Sequence, residues 1–420
     1  MKQGLKLLAL SLIKSWLLVI GGLFLILVIK NGAVAIAISS IESNISLIIL
    51  TPTLTTILIV LYYLYNWKYI VMPYSLKLIS QPKAESKEIS VFLDKLVWYD
   101  RKKNILYFRN SNAIDVKLYQ DKQKEIIHYL GLHNKSVELD IKPFRRKWVK
   151  IHLYKLPTKF DFHHGKLKQG YLYYGVSKDG NYYKKLDDLT STITVAESGA
   201  GKSNLLNLLL YSIFWNYNNG RDSLIDFTVL IDLKGNELSL YNFKNTKFID
   251  NIEGVATVFK ELKEIMYNRY KVMQRMGDKK FKGLPIVVVF DEVGTIGTHH
   301  NKKLRDSIFN DMIELFQKGR ACKIIFMLFA QKVDSTNIPS NVLTNIQSRI
   351  LMKTDSEFNT NSTIGTKEKI EEITLKEVAN FNRGRAIIKD GLTSKKDLIQ
   401  VPYISEEQHL QMIKSFGYLK

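Results

Sequence analysis

The chain has 420 residues, 46% of them hydrophobic, a content that supports a sizeable core and excludes a disordered protein. Its 61 Lys and Arg against 40 Asp and Glu leave a formal net charge of +21, which makes a polyanion, either nucleic acid or an anionic membrane surface, the expected neighbour. The single cysteine, Cys322, excludes an intrachain disulfide and a cysteine-based zinc site; it fits a reducing compartment and, beside an apolar run, reads as packed.

In chain order the first elements are apolar. Residues 5–29, LKLLALSLIKSWLLVIGGLFLILVI, are broken only by Lys6 and Lys14. A membrane span needs about 20 such residues, and a lysine near its end can snorkel to the interface. Residues 45–67, ISLIILTPTLTTILIVLYYLYNW, end in a Tyr and Trp cluster suited to the headgroup region. Together they predict a two-helix transmembrane hairpin over residues 1–67. The connection carries only Lys30 and Glu42, whereas Lys2, Lys6, Lys68, Lys77, Lys83 and Lys87 flank the outer ends. The positive-inside rule then puts both termini on the cytoplasmic side of the cell membrane. The first run lacks a small-residue cleavage site, and neither run has the polar face of a soluble helix.

From Tyr69 the composition becomes charged and aromatic, with a polar linker, QPKAESKE, at 81–88. Short strand-like runs follow (NILYFRN, SVELDI, KWVKIHLY), with QKEIIHYLGL between them as a helix, so residues 68–169 read as a small membrane-proximal α+β domain. The basic stretch KPFRRKWVKIHLYK at 142–155 is open to two readings, contact with phosphates of DNA or lipid, or a solvated strand face. His163 and His164 have no partner cluster at metal-ligand spacing.

The chemistry begins at TSTITVAESGAGKSNLLNLLLYSIFW, residues 190–215, where β-branched residues precede a small-residue loop and a long apolar helix follows. That is the strand, loop and helix context of a P-loop. The expected ATP-binding residues are Ala196, Glu197, Ser198, Gly199, Ala200, Gly201, Lys202, Ser203 and Asn204. Backbone N–H groups at the helix start would cradle the phosphates, Lys202 would reach the β/γ oxygens and Ser203 would bind Mg²⁺. Ala196 stands where the first glycine of the motif belongs; with Gly199 still in the loop, a modest adjustment of geometry is expected rather than loss of binding.

A second element, LPIVVVFDEVG, is a buried parallel-strand run ending in Asp291 and Glu292. Asp291 would hold Mg²⁺ with Ser203, and Glu292 would polarise the attacking water. A third strand, KIIFMLFAQK, ends in Gln331, an amide placed to sense a γ-phosphate at the edge where α/β sheets bind ligands.

Five segments, VLIDLKGNELSLYNF (229–243), NRYKVMQRMGDKKFKGLP (268–285), VVVFDEVG, QKGRACKIIFMLFAQ (317–331) and NVLTNIQSRILMK (341–353), resemble in order and spacing the motor of FtsK/SpoIIIE-type DNA translocases. The resemblance runs from about residue 170 to about 415. It implies a RecA-like α/β P-loop motor with a mostly parallel sheet over residues 170–420, assembled as a homo-hexameric ring with ATP at the subunit interfaces and DNA in the channel. Carried over by motif, Arg320 resembles the arginine finger of such rings; Asp232, Lys234 and Glu237 match a family motif without a role that the sequence defines. Lys302, Lys303 and Arg305 either track DNA phosphates from the channel or form a solvated cluster.

Two spans, a small domain and a bare motor, without the long linker or orientation-reading module of chromosome pumps, look like the coupling proteins of Gram-positive conjugative elements, the TcpA/ConQ type. That resemblance implies a membrane-anchored, ATP- and Mg²⁺-dependent motor. It would act on DNA, expected to be duplex and bound without sequence preference, and deliver it with its relaxase to the conjugation channel proteins. A segregation or sporulation pump, and an ATP-switched docking scaffold that does not translocate, are the alternatives.

Overall fold

The computed structural model describes residues 8–9, 11–18, 21–22, 45–78, 95–109, 116–132, 137–217, 223–235, 237–334, 337–374 and 376–417. The chain divides into two units, Met1–Tyr154 and Lys155–Lys420. Most of the predicted first span at 5–29, and the predicted linker at 81–88, lie outside the described residues.

In the first unit, helix α1 (Ile45–Ser75) contains a 22-residue apolar stretch, Pro52–Pro73, long enough to cross a membrane. Among the described residues it is the one helix of that kind; it overlaps the second predicted span, and one such helix does not make the predicted hairpin. Strands β1 (Lys95–Asp100) and β2 (Ile105–Arg109), helices α2 (Val116–Asp121) and α3 (Gln123–Leu130), and strands β3 (Glu138–Pro143) and β4 (Trp148–Tyr154) follow. The four strands form an antiparallel sheet in the order β1-β2-β4-β3. Strand β4 alternates as a half-buried strand should: Val149, Ile151 and Leu153 are buried, while Trp148, Lys150, His152 and Tyr154 are only partly covered. The last turns of α1 are built into this unit. The Tyr62 hydroxyl donates to the Leu96 carbonyl at 3.0 Å, the Tyr69 and Tyr99 rings lie 4.9 Å apart, and the Arg101 guanidinium sits 3.8 Å over the Tyr65 ring. The apolar helix therefore runs into the α+β unit without a break.

The second unit is built on one ten-stranded sheet, ordered β6-β5-β14-β13-β12-β7-β11-β10-β8-β9. Its strands are β5 (Tyr171–Ser177), β6 (Gly180–Lys185), β7 (Thr192–Val195), β8 (Thr228–Asp232), β9 (Thr246–Ile249), β10 (Ile286–Asp291), β11 (Ile324–Ala330), β12 (Ser348–Leu351), β13 (Arg385–Lys389) and β14 (Lys396–Gln400). The helices are α4 (Lys202–Trp215), α5 (Ile252–Met276), α6 (Lys302–Lys318), α7 (Ser340–Asn345), α8 (Glu357–Thr363), α9 (Lys367–Glu371) and α10 (Glu406–Ser415). Every residue of β7, β8, β10 and β11 is buried, as continuous apolar runs in a parallel sheet covered on both faces require. Nine of the 14 residues of α4 are buried, so the helix behind the P-loop is itself a core element.

The expected mostly parallel sheet is in fact mixed. The strands from β12 to β9 pair in parallel, whereas β13, β14, β5 and β6 pair antiparallel. For the β5–β6 and β13–β14 hairpins the cause is connection length. Only Lys178 and Asp179 separate β5 from β6, and a parallel pair needs a crossover of a dozen residues or more. Cys322 is packed as expected: it is buried, its Sγ lies 3.5 Å from the Met266 carbonyl, and burial pushes its thiol up to about 11.

Candidate nucleotide site

The site forms at the C-terminal edge of the parallel strands, where α/β sheets place ligands. Beyond β7 two residues are tied to the neighbouring strands by backbone hydrogen bonds. The Ala196 N–H donates to the Ala330 carbonyl at 3.0 Å and the Glu197 N–H to the Lys353 carbonyl at 3.1 Å, so the loop leaves the sheet held between its two neighbours. It then turns through Gly199 (φ 77°) and Gly201 (φ 104°), both in the left-handed region that favours glycine. Ala196 has no such φ, which explains why alanine serves where the motif has its first glycine. Gly201 has no such latitude, because a Cβ there would stand 2.9 Å from the Gly384 nitrogen. No side chain caps the first turn of α4, which leaves its N–H groups for an anion.

Lys202 Nζ lies 2.8 Å from Asp291 Oδ1 and 3.3 Å from Glu292 Oε2. Burial pulls the ammonium toward deprotonation, but the two carboxylates outweigh it and raise its pKa, so the group stays charged. Glu292 Oε1 also accepts from the Gln331 N–H at 3.1 Å, and Glu292 itself has a left-handed backbone, φ 58°. A non-glycine residue held in that region is a strained position of the kind found at functional sites.

On β8, beside β10, Asp232 accepts four backbone N–H groups, from Lys234, Gly235, Glu237 and Leu238, at 2.9 to 3.1 Å. Burial alone would raise its carboxyl, yet these bonds hold it below the usual value. The loop so shaped brings Glu237 Oε1 to 2.8 Å from Ser203 Oγ, which donates to it.

Lys202, Asp291, Asp232, Glu237 and Ser203 line a cleft with about 200 Å³ of free space, whereas Glu292, bonded to Lys202 and to the Gln331 N–H, is not among its lining residues. Of the residues expected from the sequence, Ala196 to Gly199, Gly201 to Ser203, Asp291 and Gln331 line it. Glu197 does so with its carboxylate engaged elsewhere, by Thr354 Oγ1 and the Asp355 N–H. Ala200 is buried beneath the loop, its carbonyl accepting from the Gly384 N–H at 2.8 Å, and Asn204 lies off the cleft. Lys234, Glu237 and Arg383 line it as well. Arg383 escaped sequence reasoning because it comes from the far end of the chain, in a turn that the Gly384 bond docks onto the P-loop.

The remaining expected residues lie away from this cleft. Lys302 and Lys303 are exposed on the first turn of α6, while Arg305 is partly buried and donates to the Gly297 carbonyl at 2.9 Å. Arg320 is exposed in the turn before β11, at the opposite end of the sheet from the P-loop.

The residues fit nucleotide phosphates and a divalent cation. The cradle is backbone N–H and lysine, Gly199 has open space where a side chain would project, and Glu237 Oε2 is a buried oxygen without a donor. Among the described residues no group of three His, Cys, Asp or Glu could hold a metal alone, so such a cation would share its ligands with the nucleotide.

No family model matches the chain. No curated protein matches it either. Among solved structures, the pCW3 conjugation coupling protein TcpA, in a monomer form with ATPγS, is 18% identical; the match covers 84% of this chain and 99% of that one, with a TM-score of 0.54. A structure of ATPases 2 and 3 of EssC from Geobacillus thermodenitrificans is also 18% identical, over 64% of this chain and about half, 52%, of that one, with a TM-score of 0.51. Likeness at this identity is likeness of fold: the chain has the α/β fold that these structures share.

Proposed function

We propose that this chain is a membrane-anchored, ATP-driven DNA translocase that serves as the coupling protein of conjugative transfer, bringing DNA and its relaxase to the transfer channel. The observation that carries the ATPase reading is the bracketing of Lys202 by Asp291 and Glu292 at the end of β10. The coupling role is supported by a likeness of fold that takes in 99% of the solved chain of a conjugation coupling protein.

In this reading the α4 N-terminus and Lys202 bind the phosphates, and Ser203 with Asp291 holds Mg²⁺. The cation, when bound, neutralises charge on the phosphate oxygens. Glu292, anchored by the Gln331 N–H, orients the attacking water and takes its proton. Gln331 senses the terminal phosphate, and Arg320 acts on the site of a neighbouring subunit in a homo-hexamer. Two spans, residues 5–29 and 45–67, anchor the motor with both termini in the cytoplasm.

Lys302 and Lys303, exposed on α6, are the proposed contacts to the DNA backbone, with Arg305 beside them. Two lost phosphate contacts weaken binding on every sequence alike and flatten its salt dependence. The double variant Lys302→Ala/Lys303→Ala is therefore expected to lose DNA stimulation of hydrolysis while keeping the basal rate, read by phosphate release with and without DNA. Unchanged stimulation would make the pair a solvated cluster.

A further inference from the structure

The hydroxyl of Ser203 is committed to an acidic side chain outside the Asp291–Glu292 pair. Its proton goes to Glu237 Oε1 at 2.8 Å. The other oxygen, Oε2, is shielded from solvent and meets no donor. A buried carboxylate oxygen left unpaired is unfavourable, and one retained in a well-built loop calls for a partner.

The loop is well built. Asp232 takes four backbone N–H groups between Lys234 and Leu238, which fills the acceptor positions of a carboxylate. Asp232 is thereby a latch and not a ligand, and what it holds over the cleft is Glu237. Lys202 Nζ, the nearest cation on the P-loop, is already engaged by Asp291 and Glu292.

We propose that Glu237 sets the divalent-cation affinity of this site. Oε1 fixes the Ser203 hydroxyl so that its lone pairs are free to ligate, and Oε2 accepts from water carried by the cation. Magnesium suits such an arrangement because it keeps several of its waters, and groups that orient ligands from outside tune affinity by roughly 10- to 100-fold. The proposal rests on the nucleotide-site reading above, and assigns Glu237 a positioning role within it.

The test uses the purified full chain and a fluorescent ATP analogue, with binding followed as Mg²⁺ is titrated and again in excess EDTA. Glu237→Gln keeps an oxygen for Ser203 but puts an amide in place of the other acceptor. The expected result is a Mg²⁺ midpoint raised about 10- to 100-fold, with affinity in EDTA unchanged. Glu237→Asp, which retains the charge, recovers part of the shift. A midpoint within about twofold of the parent, or an equal loss of affinity with and without Mg²⁺, overturns the proposal and leaves Glu237 a loop-shaping residue. Nucleotide binding by the unmodified chain that ignores Mg²⁺ overturns the proposal together with the cation site itself, whereas the first two outcomes leave that site standing.

Discussion

Glu292→Gln is expected to bind ATP and fail to hydrolyse it, with a rate about 10²- to 10⁴-fold below the parent, the usual contribution of a positioned general base. At 1.36 kcal/mol per factor of ten this is roughly 3–5 kcal/mol of transition-state stabilisation. The substitution is conservative in structure. The amide oxygen still accepts from the Gln331 N–H, and Asp291, at 2.8 Å, still holds Lys202. Loss of turnover with intact binding thus reports on chemistry and not on folding. Single-turnover hydrolysis beside equilibrium nucleotide binding measures both; a rate within a few-fold of the parent would remove Glu292 from the mechanism.

Arg320→Ala carries the second large effect, and the fold dictates how it must be tested. The arginine precedes β11, and the P-loop follows the far ends of β7 and β11, which pair from Met327 with Thr192 to Ala330 with Val195. The seven residues of β11 span about 20 Å at roughly 3.3 Å per residue, so Arg320 cannot reach its own Lys202. If it contributes, it does so across a subunit boundary. Such fingers are worth about 10³–10⁵ in rate, and ATP binding should stay unchanged in the variant. Mixing Arg320→Ala with Lys202→Ala subunits should restore hydrolysis, because each intact Lys202 site can then face an intact Arg320. No recovery on mixing, or full activity of Arg320→Ala alone, would return the residue to a surface role.

The parts of the site legible in the sequence are those written locally. The P-loop, the Asp-Glu pair at the end of an apolar run and Gln331 each sit in a short strand-to-loop pattern, and the structure brings them together at one edge of the sheet, Asp291 lining the cleft and Glu292 reaching Lys202 and the Gln331 N–H. The substitution at Ala196 also follows from local geometry, since the left-handed turns fall at Gly199 and Gly201 and not at Ala196. What the sequence did not convey depends on contacts between distant segments. Arg383 enters through the Gly384 bond to Ala200, and Glu237 meets Ser203 only because the backbone bonds to Asp232 hold its loop beside the P-loop. The antiparallel half of the sheet is of the same kind: the runs Arg385–Lys389 and Lys396–Gln400 carry no local mark of their neighbours in a sheet.

The central claim, that this site burns ATP to move DNA, is tested most directly by hydrolysis of the purified full chain with and without linear duplex or single-stranded DNA, beside Lys202→Ala. Strong stimulation by DNA that disappears in the variant is the predicted result, and the more effective DNA form identifies the substrate. Hydrolysis indifferent to DNA, or equal in the parent and in Lys202→Ala, would contradict it.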